Sequence, residues 1–211
     1  MARTLFIWDI HGCYYELVDL YQKMLVSELD TVYATGDLIN KWPFSQKVVQ
    51  FLRENNIQSV LGNHDIKFLK CMKGIDEKTD WFDGVMEQFK WCEDDLEYLQ
   101  WLPYWIETDS FLLLHAGLHP DRKTLSEQSE EDSIMRIRIH NNQPWHDFYD
   151  REKIVIYGHW AEQWIRFTKN TRWLDSGCVW WGHLTGYCLE TGDIWQIRAK
   201  KTYADYWNDK R

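Results

Sequence analysis
Five short polar clusters each close an apolar run, and this punctuation limits the possible folds more than any other feature of the chain. Asp9-Ile10-His11 follows residues 4–8, Gly36-Asp37 follows 31–35, and Gly62-Asn63-His64-Asp65 follows 57–61. His115-Ala116-Gly117 follows 111–114, and Gly158-His159 follows 154–157. Short continuous apolar runs of this kind read as buried strands. Between the first three lie two helical patterns. Residues 14–25 carry Leu17, Leu20, Tyr21 and Met24 at helical spacing. Pro43 opens the second, with Phe44, Val48, Phe51 and Leu52 on one face and Asn55-Asn56 at its end. Strand, helix, strand, helix, strand predicts parallel pairing through right-handed crossovers.

The second half has a different grammar. Residues 66–102 are helical and charged, with an apolar stripe of Phe82, Val85, Met86, Phe89 and Cys92. Residues 104–108 and 111–114 flank Asp109-Ser110 as a hairpin, and 121–132 read as an acidic surface loop that includes the solvated run Glu130-Glu131-Asp132. Residues 172–197 read as short strands with turns at Ser176-Gly177 and Thr191-Gly192-Asp193. No repeat or linker interrupts the 211 residues, so one domain spans 1–211, with a fraying polar tail from about 200 to 211. The expected architecture is α/β: two sheets packed face to face with helices outside, parallel units from the first half and antiparallel strands from the second.

Bulk properties narrow the function classes. A net charge of −9 argues against a general nucleic-acid-binding surface. No apolar run approaches the ~20 residues of a membrane span, and the start has no signal-peptide layout. The five cysteines are scattered, without a C-x-x-C pair, and read as reduced, small buried hydrophobes. Together these point to a cytoplasmic protein. The 14 tryptophans are mostly core by default. Trp160 and Trp181 adjoin motifs and are candidates for stacking on a base.

In open α/β sheets, ligands gather at the carboxyl ends of strands, where all five clusters fall. Asp9, His11, Asp37, Asn63, His115 and His159 make a mixed oxygen and nitrogen set without cysteine. Such donors suit two divalent transition metals (manganese first, with iron, zinc, cobalt or nickel as alternatives) better than magnesium or calcium. Two carboxylates do not neutralise two dications, so the centre stays locally positive, as an anionic phosphate requires. Two metals about 3.5–4 Å apart make hydroxide from a shared water and hold phosphoryl oxygens for in-line attack. Each motif alone has a bland reading: Asp-x-His arises by chance, Gly-Asp is usually a turn, and a lone histidine is usually a satisfied core residue. It is their combination that points to metal. His119, His140, His146 and His183 read as surface or structural residues, with His119 the main exception because it lies just beyond the HAG turn.

The set D-x-H, GD, GNHD, HAG and GH resembles the calcineurin-like metallophosphoesterases, in their phosphoprotein-phosphatase branch, over about residues 4–197. Residues 36–43, 62–65, 158–160 and 174–185 are similar to those of symmetrical diadenosine tetraphosphatases. The resemblance implies a four-layer α/β/β/α sandwich of two mixed sheets flanked by helices. It also implies that Asp9, His11 and Asp37 hold one metal. Asp37 then bridges to a second, completed by Asn63, His115 and His159. His64 protonates the leaving oxygen, with Asn40 orienting it. Asn63, Lys41 and an arginine, Arg138 ahead of Arg136, grip phosphate. Three departures stand out. Lys41 replaces the usual arginine and offers no bidentate fork. Asn40 replaces the aspartate of protein phosphatases. The stretch between His115 and His159 is short. The implied reaction is cleavage of a dinucleoside polyphosphate, diadenosine tetraphosphate to two ADP, by direct attack of a metal-bridging hydroxide. A serine/threonine or tyrosine protein phosphatase on the same site is the alternative, and a non-catalytic binding module the third. The implied partner is a small nucleotide or a phosphorylated substrate; the oligomeric state stays open.

Overall fold
The computed structural model describes residues 2–41, 43–162 and 165–204, with Glu131 through its backbone alone. Trp42 and the tail beyond residue 204 lie outside the described residues.

Two five-stranded mixed sheets form. In the first, β1 (Thr4–Ile7) pairs parallel with β2 (Thr31–Ala34), and β2 pairs parallel with β3 (Gln58–Ser59). On its other side β1 pairs antiparallel with β11 (His183–Cys188), which pairs antiparallel with β12 (Ile194–Arg198). In the second sheet, β5 (Phe111–Leu114) lies between β4 (Trp105–Glu107), antiparallel, and β8 (Ile154–Tyr157), parallel. β8 pairs parallel with β10 (Thr171–Trp173), and β10 pairs antiparallel with β9 (Arg166–Phe167).

Side-chain alternation along fully apolar strands explains how the sheets meet, because period-2 geometry sends neighbours to opposite faces. Phe6, Tyr33 and Tyr187 from the first sheet share an interior cluster with Phe111, Leu113 and Ile156 from the second. The Phe6 and Phe111 rings meet edge-on at 5.0 Å. Leu5 and Ile7 turn outward to a separate cluster with Leu17 and Leu20 of α1 (Tyr14–Lys23) and Val48, Val49 and Leu52 of α2 (Ser45–Glu54). α3 (Asn63–Met72), α4 (Phe82–Phe89) and α5 (Glu93–Gln100) complete the helical layer. The outer face of the second sheet is covered more thinly. Short helical turns at Glu130–Ile134 and Trp145–Phe148 bring Ile134 and Trp145 into one cluster with Leu114, Val155 and Tyr157.

Several local readings shift. The third strand is shorter than 57–61, because the Leu61 N–H leaves β2 and donates to Pro103 O at 2.8 Å. α2 starts at Ser45, two residues after Pro43, with Phe44 at the N-cap position and no side-chain capping bond. The stretch 66–102 divides into three helices, and its first begins at Asn63. The acidic loop at 121–132 contains a turn of 3-10 helix and a buried Gln128. Not all described tryptophans are core: Trp8, Trp145 and Trp173 are buried, but Trp91 and Trp101, in the turns after α4 and α5, are exposed. Cys13, Cys71, Cys178 and Cys188 are buried as expected, Cys92 is half-buried, and none forms a disulfide. None of the described helices is long and apolar enough to cross a membrane.

Candidate metal centre
The ends of β1, β2, β5 and β8, and the first turn of α3, converge on one pit. Strained backbone marks it. Five of the ten left-handed non-glycine residues among those described stand here: His11 (φ 47°), Asp37 (49°), Asn40 (72°), Lys41 (65°) and His159 (69°). Conformations of that kind persist only where surrounding structure enforces them. Two glycines are required by close approach. A Cβ on Gly62 would sit 2.1 Å from the Asp37 amide nitrogen, and one on Gly158 2.1 Å from Asp9 Oδ1.

Asp37 is the hub. Its Oδ2 lies 3.4 Å from His11 Nε2 and 3.5 Å from His115 Nε2. Its Oδ1 accepts the His64 backbone N–H at 2.9 Å, at the positive end of α3. Two groups of potential ligand atoms result, one of His11, Asp37 and His64, the other of Asp37, His115 and His159, and they share this carboxylate. Burial works to raise the Asp37 carboxyl, but the imidazoles of His115, His64 and His11 outweigh it and hold it below the usual carboxylate range. Asp9 is buried beside the pit, where its Oδ1 accepts from the Thr35 hydroxyl at 2.8 Å and its Oδ2 from the His159 N–H at 2.7 Å. Burial, then the Asp37 charge, push its carboxyl up to about 7. Burial is also the main force lowering His11 and His159 well below the ordinary imidazole value.

The imidazoles are oriented by main chain. His115 Nδ1 lies 2.9 Å from Thr35 O and His11 Nδ1 3.4 Å from Ile39 O. Protons assigned to those nitrogens leave both Nε2 lone pairs facing the pit, the outer-shell arrangement of metal-ligating histidine. His115 Nε2 then faces Asn63 Oδ1 at 3.0 Å, two acceptors with no proton between them. A shared cation resolves that contact, as it resolves the buried negative charge of Asp9 and Asp37. The residues present therefore fit a pair of divalent transition metals.

Asn40 reaches the His64 ring. Asn40 Oδ1 accepts the Lys41 N–H, so its Nδ2 donates to His64 Nδ1 at 2.8 Å. Lys41 places its ammonium 4.0 Å over the Trp180 ring. Arg138 is exposed and its guanidinium donates to His159 O at 3.2 Å. Arg136 is exposed in the turn after Glu130–Ile134; the segment is not a strand, so the two arginines share no strand face. Trp160 spends a face on Trp173, stacked at 5.1 Å, and Trp181 lies under Arg198 at 5.3 Å.

Sequence reasoning missed four residues here. Asp65, last of the GNHD cluster, is fully buried and accepts the N–H groups of Leu38, Ile39 and Gly62 at 3.0, 3.2 and 2.9 Å. It clamps the loop of Asp37 to the start of α3; burial, then the Asp37 charge, push its carboxyl up to about 7. Buried Asp175 shares a hydrogen bond with Asp9, and burial, then that charge, raise it well above the ordinary range. Trp180 and Trp81 wall the pit, 6.1 Å from His11 and 6.4 Å from His64. Asp65 carried a signal in its motif, and Asp175 and Trp180 lie in the 174–185 stretch, but Trp81 had none.

The sequence pattern of calcineurin-like phosphoesterases matches residues 2–183, and the chain belongs to that family of hydrolases. Its relatives include the symmetrical bis(5'-nucleosyl)-tetraphosphatase of Neisseria gonorrhoeae, 26% identical over 264 aligned positions that cover 92% of this chain and 94% of that protein. The enzyme of the same name from Haemophilus ducreyi is 27% identical, covering 94% and 99%. A crystal structure described as a proposed diadenosine tetraphosphatase superposes with a TM-score of 0.81 at 30% identity, over 93% of each chain. A protein serine/threonine phosphatase from Saccharomyces cerevisiae shares the fold at a TM-score of 0.59 and 13% identity.

Proposed function
We propose that the chain hydrolyses dinucleoside polyphosphates such as diadenosine tetraphosphate, cutting symmetrically to two ADP. The observation that carries the chemistry is Asp37, shared between two ligand groups at the ends of four strands. The substrate reading is supported by relatives that bear that activity in their names and cover nearly the whole chain. Metals bound there, manganese foremost, would lower the pKa of a water and neutralise phosphoryl oxygens. Asp9, His11, Asp37, Asn63, His115 and His159 would hold them.

The remaining roles fall to the chain. Asn40 makes Nδ1 of His64 an acceptor, so the neutral ring carries its proton on Nε2, the nitrogen available to a leaving oxygen. Lys41 offers a point charge to phosphate from its perch on Trp180, and Arg138 a fork beside His159. The protein works in the cytoplasm.

Protein stripped with EDTA and reloaded with manganese, then given diadenosine tetraphosphate and a phosphopeptide panel, tests this. ADP as the sole nucleotide product, at a rate far above phosphopeptide turnover, is expected. The reverse ranking would assign a protein phosphatase, and no hydrolysis of either would leave only a binding module.

A further inference from the structure
Just beyond the HAG turn, a second set of ligand-type side chains gathers. His119, Asp121 and His140 each offer an atom within 4.8 Å of the others. Asp121 Oδ1 lies 3.6 Å from His140 Nε2, and its Oδ2 lies 3.9 Å from His119 Nδ1. The two imidazoles meet edge-on at 4.9 Å.

Their mounting is firm on two sides and loose on the third. His140 ends β6 (Ile139–His140), which pairs with β7 (Gln143–Pro144) around Asn141-Asn142. Both asparagines are left-handed, φ 47° and 63°, as the tightest hairpin turn demands. The His140 side chain is only 11% exposed and meets Phe148 edge-on at 5.2 Å. His119 is fixed through its backbone N–H, which donates to Gln128 Oε1 at 2.7 Å. Asp121 is the mobile member, with its side chain 73% exposed.

We propose that His119, Asp121 and His140 form a third metal site, separate from the dinuclear centre, for a single zinc-class divalent cation. Two imidazoles and one carboxylate are the donors of three-ligand zinc sites, whose fourth position takes water. Bonds of ~2.0–2.1 Å place tetrahedral donors about 3.4 Å apart. The separations of 3.6 and 3.9 Å run to different oxygens of Asp121, and the three ligand atoms lie within 4.8 Å of one another. Rotation of the exposed Asp121 and a turn of the His119 ring, whose Nδ1 now accepts the Asp121 N–H at 3.3 Å, close the set. The Asn141 amide, which now contacts His140 Nε2 at 3.0 Å, swings aside on an exposed side chain. The cation ties the loop beyond the HAG turn to the β6–β7 hairpin. That hairpin begins one residue after Arg138, so the same tie steadies the segment that carries this guanidinium to His159.

The test is a metal count on the full chain, loaded with zinc or cobalt and freed of excess. His140→Gln and Asp121→Asn should each hold one equivalent less than the wild type, whatever the wild-type total. The cobalt-loaded wild type should also lose part of its visible absorption on His140→Gln. Because Asp121 is exposed, its substitution leaves folding intact and keeps the count interpretable. An Asp9→Asn/His115→Ala chain, with the principal centre damaged, should still lose one equivalent on Asp121→Asn. Equal metal content in wild type and both single variants would overturn the proposal and reduce the cluster to an ordinary ion-paired surface group.

Discussion

Gly62→Ala isolates what holds the candidate centre together. Gly62 has φ −96° and ψ 171°, an extended conformation any residue adopts, so alanine costs nothing in backbone strain. All of the effect is contact. The new methyl would lie 2.1 Å from both the Asp37 amide nitrogen and Asp37 Oδ1, against an ordinary limit near 3.4 Å, so the two segments must part by about 1.3 Å. Neither side yields alone, because Asp65 receives N–H groups from Leu38 and Ile39 on one segment and Gly62 on the other. Parting them strips donors from a buried carboxylate. Overpacking together with hydrogen bonds lost to a buried charge comes to about 3–5 kcal/mol. In a domain of this size that lowers the melting temperature by on the order of 10 °C. Calorimetry on metal-free protein reads the stability, and titration with manganese reads the displacement of Asp37, which should weaken binding at both positions. A Gly62→Ala chain that melts with the wild type and binds manganese equally would refute the clamp.

Gly84→Ala is the matching control: it lies inside α4 with nothing within 4 Å of a new Cβ, so thermal unfolding should show a gain of about 0.5–1 kcal/mol. His64→Ala should cut turnover by about 10²-fold or more while metal content stays unchanged; loss of metal would make His64 a ligand, as its place beside His11 and Asp37 permits. Lys41→Arg should tighten inhibition by inorganic phosphate, since a planar fork replaces a point charge; an unchanged inhibition constant would place residue 41 outside the phosphate site. Burial lowers the pKa of His146, whose Nδ1 contacts the Tyr157 hydroxyl at 2.6 Å. The folded ring therefore stays neutral where the unfolded ring takes a proton, so its contribution is present above about pH 6.5 and lost as pH falls. Denaturant titrations should show a shallower acid loss of stability in His146→Gln than in the wild type; parallel slopes would count against this origin.

Strand ends proved the most legible part of the fold. Apolar runs before Asp9, Asp37, His115 and His159 became strands because their alternate residues serve two cores at once, an interior between sheets and an outer face. The run before Asn63 kept only Gln58–Ser59 in the sheet, since a long-range bond from Leu61 to Pro103 draws the chain away. Such a competitor has no local sign. The placement of Arg136 and Arg138 had no local sign either. A helical turn at Glu130–Ile134 precedes them, and only Arg138 ends near His159.

Residue type and local spacing determined which side chains are candidate metal ligands and that each would stand at a turn after a strand. These are short-range properties, set by hydrophobic period and by the donors each residue offers. Tertiary structure decided which atoms meet: Asp37 between two imidazoles, Asp65 clamping two loops, Asp175 against Asp9, Trp180 beneath Lys41, and a second histidine–aspartate group at the β6–β7 hairpin. Those contacts join segments far apart in the chain. Nothing in local spacing encodes them, because they exist only once packing of the two sheets has fixed where every loop emerges.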